Sequence, residues 1–332
     1  MSAHLGALRL GTRGSTLARA QSQRVADQLH EATGRDVELV EISTVGDRSQ
    51  APVDQLGVGV FVSALREALL AKEIDFAVHS YKDLPTAAAE GLIIAAIPVR
   101  EDPRDALVAR DGLCLSELPP GSSIGTGAVR RIAQLHALGH QLDVRPIRGN
   151  IDSRIRQVTD GHLDGVILAR AGLARIGRLD VITETLDPML MLPAPAQGAL
   201  AIECRTGTDA DIELQQLLRV LDHDDTRLTV AAERALLATL EAGCSAPVAA
   251  MAVLAEDEDG SLELYLRGAV INPDGSHDVR LSRSAVLDSA DPQTTAESIG
   301  RELAADLLSA GADDLLAPPG ADAGADVAGS AR

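Results

Sequence analysis

Short apolar strands alternate with helical segments along the first two thirds of the chain, and this order is the strongest constraint on its fold. The predicted strands of the first half are residues 8–10, 37–42, 76–78 and 92–97. After residue 103 the pattern starts again, with strands predicted over 123–124 and 164–169 and a helix over 129–138. Such alternation is typical of α/β domains, and we expect their sheets to be parallel.

The two parts of this region share a short sequence pattern. Gly11-Thr12 and Gly125-Thr126 each follow a predicted strand, and an Ala-Gln pair lies about nine residues later, at Ala20-Gln21 and Ala133-Gln134. Two similar α/β domains that face each other across a cleft would explain the repeat. Chance is the alternative, because the matching segments are short.

The pattern changes after residue 225. Helices are predicted over 226–240 and 295–309, with hairpin turns at Asp259-Gly260 and Asn272–Gly275 between them. Before this unit, a strand at 197–203 follows a proline-rich segment and is predicted to return to the first sheet. The chain would then cross twice between the first two domains.

These patterns predict three domains, of which the first two are similar doubly wound α/β domains around a cleft. The first comprises residues 5–101 and 198–222, the second 104–195, and the third, a smaller α+β domain, 225–316. Residues 44–60 are polar and contain glycine, and we expect a mobile loop there. Residues 317–332 are rich in Ala, Gly, Pro and Asp, a composition that predicts disorder.

Composition excludes several classes of function. The formal net charge of −19 and the presence of only four Phe and Tyr side chains disfavour nucleic-acid binding, which needs a basic face and stacking surfaces. No apolar run approaches the roughly 20 residues that cross a bilayer. The N-terminal sequence lacks the features of a signal peptide, and the three scattered cysteines suggest no disulfide framework. We therefore expect a cytoplasmic protein.

A cationic stretch stands out against this acidic background. Residues 125–156 contain six arginines and only two acids. Arg130 and Arg131 lie in the first turn of a predicted helix, where cations are unfavourable unless an anion compensates them. Arg148 lies at the end of a predicted strand, where the ligands of α/β sheets bind. The stretch predicts an anion site, and solvated surface arginines are the alternative.

Helical periodicity separates two arginines of this stretch. On a helix that starts at Ile151, the apolar face contains Ile151, Ile155 and Val158. At 100° per residue Arg154 lies beside this face, whereas Arg156 points away from it. We predict that Arg154 binds an anion and that Arg156 is a surface residue.

Two residues are candidates for chemistry. Asp83 lies on the loop after the strand at 76–78 and could act as a general acid–base or stabilise a cation, although an Asx-turn before Leu84 is the alternative. Cys244 follows a glycine at a helix end, which suits an accessible nucleophile, although packing is the default for a lone cysteine. His136 and His140 have metal-ligand spacing but no third ligand, so we predict no metal site.

Seven motifs occur in one order along residues 8–316. They are Gly-Thr-Arg-Gly-Ser (11–15), Ala-Val-His-Ser-Tyr-Lys-Asp-Leu-Pro (77–85), Arg-Glu-Asp-Pro-Arg-Asp-Ala (100–106), Arg-Arg (130–131), Arg-Gly-Asn (148–150), Pro-Ala-Gln-Gly-Ala-Leu-Ala-Ile-Glu-Cys-Arg (195–205) and Leu-Glu-Ala-Gly-Cys-Ser-Ala-Pro (240–247). Together they resemble the porphobilinogen deaminase family, also called hydroxymethylbilane synthases. The resemblance implies a periplasmic-binding-protein-like arrangement of the first two domains.

The resemblance also implies a reaction. A family member is a transferase of haem and porphyrin biosynthesis that joins four porphobilinogen units head to tail, releases ammonia at each step and hydrolyses off hydroxymethylbilane. The chain grows on a dipyrromethane cofactor, which a thioether would link to Cys244. Asp83 would be the catalytic residue, and the expected partner is porphobilinogen alone, bound by a monomer. A two-domain anion-binding protein without catalysis is the alternative.

The remaining site residues are likewise implied by the resemblance. The pyrrole rings carry acetate and propionate groups, and the side chains expected to bind cofactor or substrate are Arg13, Ser15, Gln21, Phe61, Ser80, Lys82, Thr126, Arg130, Arg131, Arg148, Arg154, Arg175 and Gln197. Two departures matter. No lysine occurs in the loop at 56–60, and Thr126-Gly127-Ala128 replaces the family's Thr-Ser-Ser, so two expected hydroxyl ligands are missing.

Overall fold

The computed structural model describes residues 6–43, 60–242, 246–258 and 260–316, apart from the side chains of residues 60 and 61. Its strands are β1 (Leu8–Thr12), β2 (Val37–Glu41), β3 (Phe76–Ser80), β4 (Leu92–Ala96), β5 (Asp105–Ala109), β6 (Ser123–Thr126), β7 (Asp143–Pro146), β8 (Gly165–Ala169), β9 (Glu184–Thr185), β10 (Leu200–Arg205), β11 (Val248–Glu256), β12 (Leu262–Ile271) and β13 (Asp278–Val286).

Helices connect most of these strands. They are α1 (Thr16–Thr33), α2 (Val60–Leu70), α3 (Val129–Ala137), α4 (Ile151–Thr159), α5 (Arg170–Arg175), α6 (Asp209–Leu218), α7 (Asp224–Thr239), α8 (Pro292–Ser309) and α9 (Ala312–Leu316). Local sequence accounts for several of their ends. Ser15, Asn150 and Asp291 cap α1, α4 and α8 by accepting backbone N–H bonds, and Gly34 ends α1 in the left-handed conformation.

The strands form three sheets. The first has the order β2-β1-β3-β10-β4, the second β7-β6-β8-β5-β9 and the third β11-β12-β13. The first two match strand by strand. In each, three neighbouring strands are parallel, and a fourth, β10 or β5, runs antiparallel between its two neighbours. The internal repeat in the sequence is therefore a repeat of topology.

The expectation of parallel sheets is wrong for β10 and β5. Both strands adjoin the segments on which the chain passes between the first two sheets, so their direction is set by this passage and not by a βαβ unit. The prediction that the strand near residue 200 returns to the first sheet is confirmed, because β10 pairs with both β3 and β4.

Apolar side chains cover both faces of each large sheet. In the first sheet, Leu10 and Phe76 pack with Val25 and Leu29 of α1, while Leu65 and Leu69 of α2 cover the opposite face. The second sheet likewise has two cores, centred on Ile124 and Ile167 and on Val166 and Leu168. The predicted doubly wound α/β architecture is confirmed.

The third sheet is a smaller, antiparallel unit. Its strands β11, β12 and β13 form two hairpins, and α7 and α8 pack together on one face. Leu236, Leu264, Leu266 and Leu303 are fully buried in this core. The predicted α+β architecture of the C-terminal unit is confirmed, although α7 and α8 begin before the predicted residues 226 and 295.

The two crossing segments, residues 97–104 and 193–199, lie side by side. Glu101 donates its backbone N–H to the Gly198 carbonyl at 3.1 Å, and the Arg100 Nε donates to the Gln197 carbonyl at 2.8 Å. Gly198 has φ of +88°, and a Cβ added there would lie 2.3 Å from the Glu101 carbonyl oxygen. The junction therefore requires glycine for both its backbone conformation and its close approach.

Several predicted features lie outside the described residues. These are the loop at 44–59, the Phe61 side chain, Cys244 and the tail at 317–332. Among the described residues, no helix is long and apolar enough to cross a membrane.

We expect Gly198→Ala to destabilise the protein more than Gly34→Ala. Both glycines have positive φ, which costs a non-glycine residue about 1–2 kcal/mol, but a Cβ at Gly34 meets nothing within 4 Å. At Gly198 the clash with a backbone oxygen adds about 1–3 kcal/mol. Urea unfolding of both variants measures the difference, and equal losses would show that the crossing segments are not tightly packed.

Candidate active site

Asp83 lies on a short turn at the carboxyl end of β3. Residues Tyr81–Asp83 form one 3-10 turn, which the Leu84 N–H closes on the Tyr81 carbonyl at 3.2 Å. Leu84 is 1% exposed and anchors the turn, while Asp83 itself is exposed. Since a backbone bond closes the turn, its geometry does not need the Asp83 carboxylate. The catalytic role of Asp83 and the alternative of an Asx-turn both stay predictions.

A buried glutamine joins this turn to the second sheet. The Lys82 ammonium donates to the Gln197 Oε1 at 3.1 Å, and the Arg130 Nη2 donates to the same oxygen at 3.1 Å. The Gln197 Nε2 donates to Asp105 at 2.7 Å and to the Pro103 carbonyl at 2.6 Å. Gln197 therefore links the two sheets, and its predicted role toward a ligand remains a proposal.

Asp105 is the centre of this network. It lies at the start of β5 with no exposed surface, and its oxygens accept bonds from Arg130 at 2.7 Å and Arg131 at 2.8 Å. Burial alone would raise the pKa of Asp105, but the two guanidinium groups hold it well below its usual range. The anion that compensates the two arginines at the start of α3 is thus the chain's own Asp105, which the sequence analysis did not foresee.

Positive charge exceeds negative charge around this network. Burial lowers the pKa of Lys82 to about 8, with Arg131 and Arg130 acting in the same direction and Asp83 in the opposite one. Arg131 is 5% exposed, and its Nε is buried without a hydrogen-bond partner among the described residues. Two carboxylates, Asp105 and Asp83, therefore lie among two arginines and a lysine, and the site favours additional negative charge.

Arg154 is a further cation of this site, and it is affected by the charge of Arg131. Burial and the nearby charges of Arg131 and Arg148 lower the pKa of Arg154. Its Nε donates to the Gly149 carbonyl at 2.9 Å, which fixes the guanidinium beside the end of β7. Arg154 is half-buried and Arg156 is exposed, so the helical phase predicted from the sequence is confirmed.

Gly127 replaces a serine that the family often has, and the backbone packs closely around it. A Cβ at this position would lie 2.7 Å from the Ile147 carbonyl and 3.6 Å from the Arg154 Nη2. Thr126 is fully buried, and its hydroxyl lies 3.4 Å from the Ala128 backbone nitrogen. The glycine therefore lets the backbone after β6 approach the Ile147 carbonyl closely, while Arg154 lies at ordinary contact distance.

The predicted residues of the first sheet lie after β1 and β3. Arg13 is half-buried directly after β1, and Ser15 caps α1 by accepting the Ala18 N–H at 3.2 Å. Gln21 is 5% exposed, and its Nε2 donates to the Ser80 hydroxyl at 3.1 Å. Because β1 and β3 are parallel, these side chains share the sheet edge that carries Asp83.

Arg175 lies at the end of α5 and reaches the crossing segment. Its Nη2 donates to the Gly198 carbonyl at 2.5 Å, and burial lowers its pKa to about 10. Glu101 opposes this shift, and Arg24 adds to it. Arg175 therefore lies near the junction of the two sheets, where it supports the crossing.

The surroundings of Cys204 and His136 do not favour a catalytic role for either residue. Burial raises the pKa of Cys204 to about 12, so its thiol is a poor nucleophile. His136 lies 3.1 Å from the Pro273 carbonyl through its Nδ1. Among the described residues, no group of three His, Cys, Asp or Glu side chains could hold a metal ion.

Sequence reasoning missed three buried charged residues. Asp105 starts an otherwise apolar strand, and Glu203 interrupts the apolar run of β10, where it lies 3.1 Å from the His79 Nε2 and 2.9 Å from the Arg66 Nη2. Glu233 is a third acid on a buried helix face. An acid among buried apolar neighbours is itself a signal, because such a charge needs a partner.

Comparisons with known proteins show similarity to one enzyme family. Residues 8–213 match the family described as porphobilinogen deaminase, dipyromethane cofactor binding domain, and residues 227–309 match porphobilinogen deaminase, C-terminal domain. A porphobilinogen deaminase of Nocardia farcinica is 58% identical over 93% of this chain and 88% of its own length. One of Mycolicibacterium gilvum is 56% identical over 95% of this chain and 99% of its own length.

Among solved structures, the methionine binding protein MetQ is similar with a TM-score of 0.39 and 13% identity, over 64% of this chain and 89% of its own. The two family matches and the high identity to these relatives cover most of the chain. The first match is also to a dipyrromethane cofactor binding domain. This chain belongs to the porphobilinogen deaminase family.

Proposed function

We propose that this protein condenses four porphobilinogen molecules head to tail on a dipyrromethane primer held by Cys244, releases ammonia at each step and then hydrolyses off hydroxymethylbilane. The observation that carries the proposal is the charge pattern at one cleft. The exposed Asp83 follows Lys82 in the chain, Lys82 and Arg130 both donate to the Gln197 Oε1, and the charges of Arg131 and Arg154 act on this group of cations. A substrate with two carboxylates per ring and a basic leaving group matches this pattern.

The residues present fit a dipyrromethane group. Its acetate and propionate groups would relieve two features of the structure, the repulsion of Arg154 by Arg131 and Arg148 and the unpartnered Nε of Arg131. Guanidinium groups bind carboxylates with two parallel hydrogen bonds, which fixes the ring as well as its charge. We propose that Arg13 and Arg175 bind further carboxylates from the first sheet and from the crossing segment.

The proposed roles of the chain's own residues follow from their positions. When bound, the primer supplies the pyrrole carbon to which the first substrate unit adds. Asp83 stabilises the cation that develops on porphobilinogen as its amine leaves as ammonia, and it accepts the proton released at the pyrrole carbon that forms the new bond. Substrate carboxylates that enter the site raise the pKa of Lys82 and so favour its protonated form, because negative charge stabilises the ammonium group. The arginines hold the growing chain.

The remaining predicted side chains have supporting roles in this proposal. We propose that Ser15 and Ser80 line the polar edge of the cleft, that the buried Gln21, Thr126 and Gln197 support it, and that Phe61 is beside the cofactor. The three sheets support the domain bounds 5–101 with 198–222, 104–195 and 225–316. A monomer in the cytoplasm stays a prediction.

We expect Asp83→Asn to retain the bound primer but to turn over porphobilinogen at least about 100-fold more slowly, since loss of a general acid–base group has this scale. Ammonia release and formation of the linear tetrapyrrole measure kcat. Asp160→Asn is the control, because Asp160 is exposed at the end of α4. Near-normal turnover of Asp83→Asn would remove Asp83 from the mechanism.

The same assay addresses the non-catalytic alternative. A two-domain anion-binding protein would bind porphobilinogen without releasing ammonia. Such a protein would need neither an acid–base group at Asp83 nor a covalent cofactor on Cys244. The comparisons do not favour this alternative, because the relatives of Nocardia farcinica and Mycolicibacterium gilvum, which match over most of the chain, are named porphobilinogen deaminases. Ammonia release by the wild-type protein is the deciding result.

We expect Arg154→Ala to impair primer assembly or elongation at least about tenfold and Arg156→Ala to stay within about twofold of wild type. Loss of one charge-assisted hydrogen bond weakens binding by about 1.5–3 kcal/mol. Single-turnover elongation and the fraction of primer-loaded protein measure both variants. Equal effects would show that the half-buried position of Arg154 has no role in ligand binding.

A further inference from the structure

We propose that Arg234 is a positioning residue that clamps the Asp83 turn from the C-terminal unit, an inference that rests on the proposed role of Asp83. Arg234 lies on α7, far from the turn in sequence. Its Nη1 donates to the carbonyls of Tyr81 at 3.3 Å and Leu84 at 3.1 Å, and its Nη2 donates to the Pro85 carbonyl at 2.7 Å.

The guanidinium also lies over an aromatic ring. The Arg234 Cζ is 4.3 Å from the centroid of the Tyr81 ring, which is cation–π distance. One planar group therefore contacts the turn before Asp83, through the ring and carbonyl of Tyr81, and after it, through Leu84 and Pro85. Such contacts on both sides limit the directions in which the Asp83 carboxylate can point.

The chemistry of the clamp is specific to arginine. Three carbonyl oxygens accept from two nitrogens of one rigid fork, while the face of the same group stacks on Tyr81. Lysine has a charge and three donors but no plane to stack and no fixed angle between donors. Arg234→Lys therefore tests geometry while it keeps the charge.

The helix that carries Arg234 is itself fixed. The preceding residue, Glu233, is fully buried and accepts bonds from Arg100 at 2.7 Å, from the Ala196 N–H at 2.6 Å and from the Ala252 N–H at 2.8 Å. These donors belong to the first crossing segment, to the second and to β11. Two consecutive residues of α7 thus fix both crossing segments and the Asp83 turn.

The same helix precedes Cys244, the proposed attachment residue of the primer, in the sequence. It ends at Thr239, five residues before Cys244 in the sequence. The element that clamps the turn is therefore also the one from which the Cys244 segment continues. We infer that Arg234 fixes the position of the acid–base group, and that the C-terminal unit contributes to the chemistry through this contact.

The decisive variants are Arg234→Met and Arg234→Lys, with Arg301→Met as the matched control. Arg301 lines the same surface groove as Tyr81 and Arg234, but it is exposed and forms an ion pair with Glu297 of its own helix at 3.4 Å. We expect both Arg234 variants to load the primer normally, which intact mass measures. Their kcat should fall by about 10- to 100-fold, because a misplaced catalytic group has this effect.

Two readouts separate positioning from a general loss of structure. The KM for porphobilinogen should change less than about threefold, since the arginines of the cleft are untouched. Hydrogen exchange of residues 81–86 should accelerate while that of β3 and α7 stays at the wild-type rate. A Tyr81→Leu, Arg234→Met double variant should be no slower than Arg234→Met alone, because both changes remove one clamp.

Each failure has a distinct pattern. Wild-type kcat and unchanged exchange in Arg234→Met, in a wild-type protein that consumes porphobilinogen, would overturn the clamp. Absence of turnover in the wild-type protein would overturn the proposed function, and the exchange measurement would still decide whether Arg234 holds the turn. If Arg234→Met does not fold, Arg234→Lys decides, and wild-type kcat in that variant contradicts the proposal.

Discussion

The buried carboxylate of Asp105 is the interaction on which the cleft depends. It neutralises Arg130 and Arg131 at the start of α3 and accepts a bond from Gln197, which in turn accepts from Lys82. Removing one partner of such a buried group leaves uncompensated charge and typically costs about 3–5 kcal/mol. One acid at the start of β5 therefore fixes the cations of the second sheet and connects them to the turn that carries Asp83.

A second buried acid organises the molecule at a larger scale. Glu233 binds Arg100, Ala196 and Ala252, and so brings both crossing segments against the C-terminal unit. Both Asp105 and Glu233 are fully buried and fully bonded, which is the condition under which a charge is tolerated inside a protein. The cleft is thus built from satisfied internal charges, around which a few cations, Arg154 and Lys82 among them, retain capacity for a ligand.

Local patterns in the sequence predict the elements and several contacts of this structure. Helical periodicity separates Arg154 from Arg156, and the short Gly-Thr repeat marks two sheets of equal topology. The antiparallel directions of β5 and β10 escape such patterns, because they depend on where the chain passes between sheets. The partners of Asp105, Glu233 and Arg234 escape them as well, since these contacts join residues far apart in sequence.

The intact mass of the active protein shows whether Cys244 holds a pyrrole primer among the arginines of the site. This attachment predicts a mass above that of the polypeptide by one dipyrromethane unit, lost in Cys244→Ala and kept in Cys114→Ala. Wild-type protein that forms hydroxymethylbilane at the mass of the bare polypeptide would contradict it.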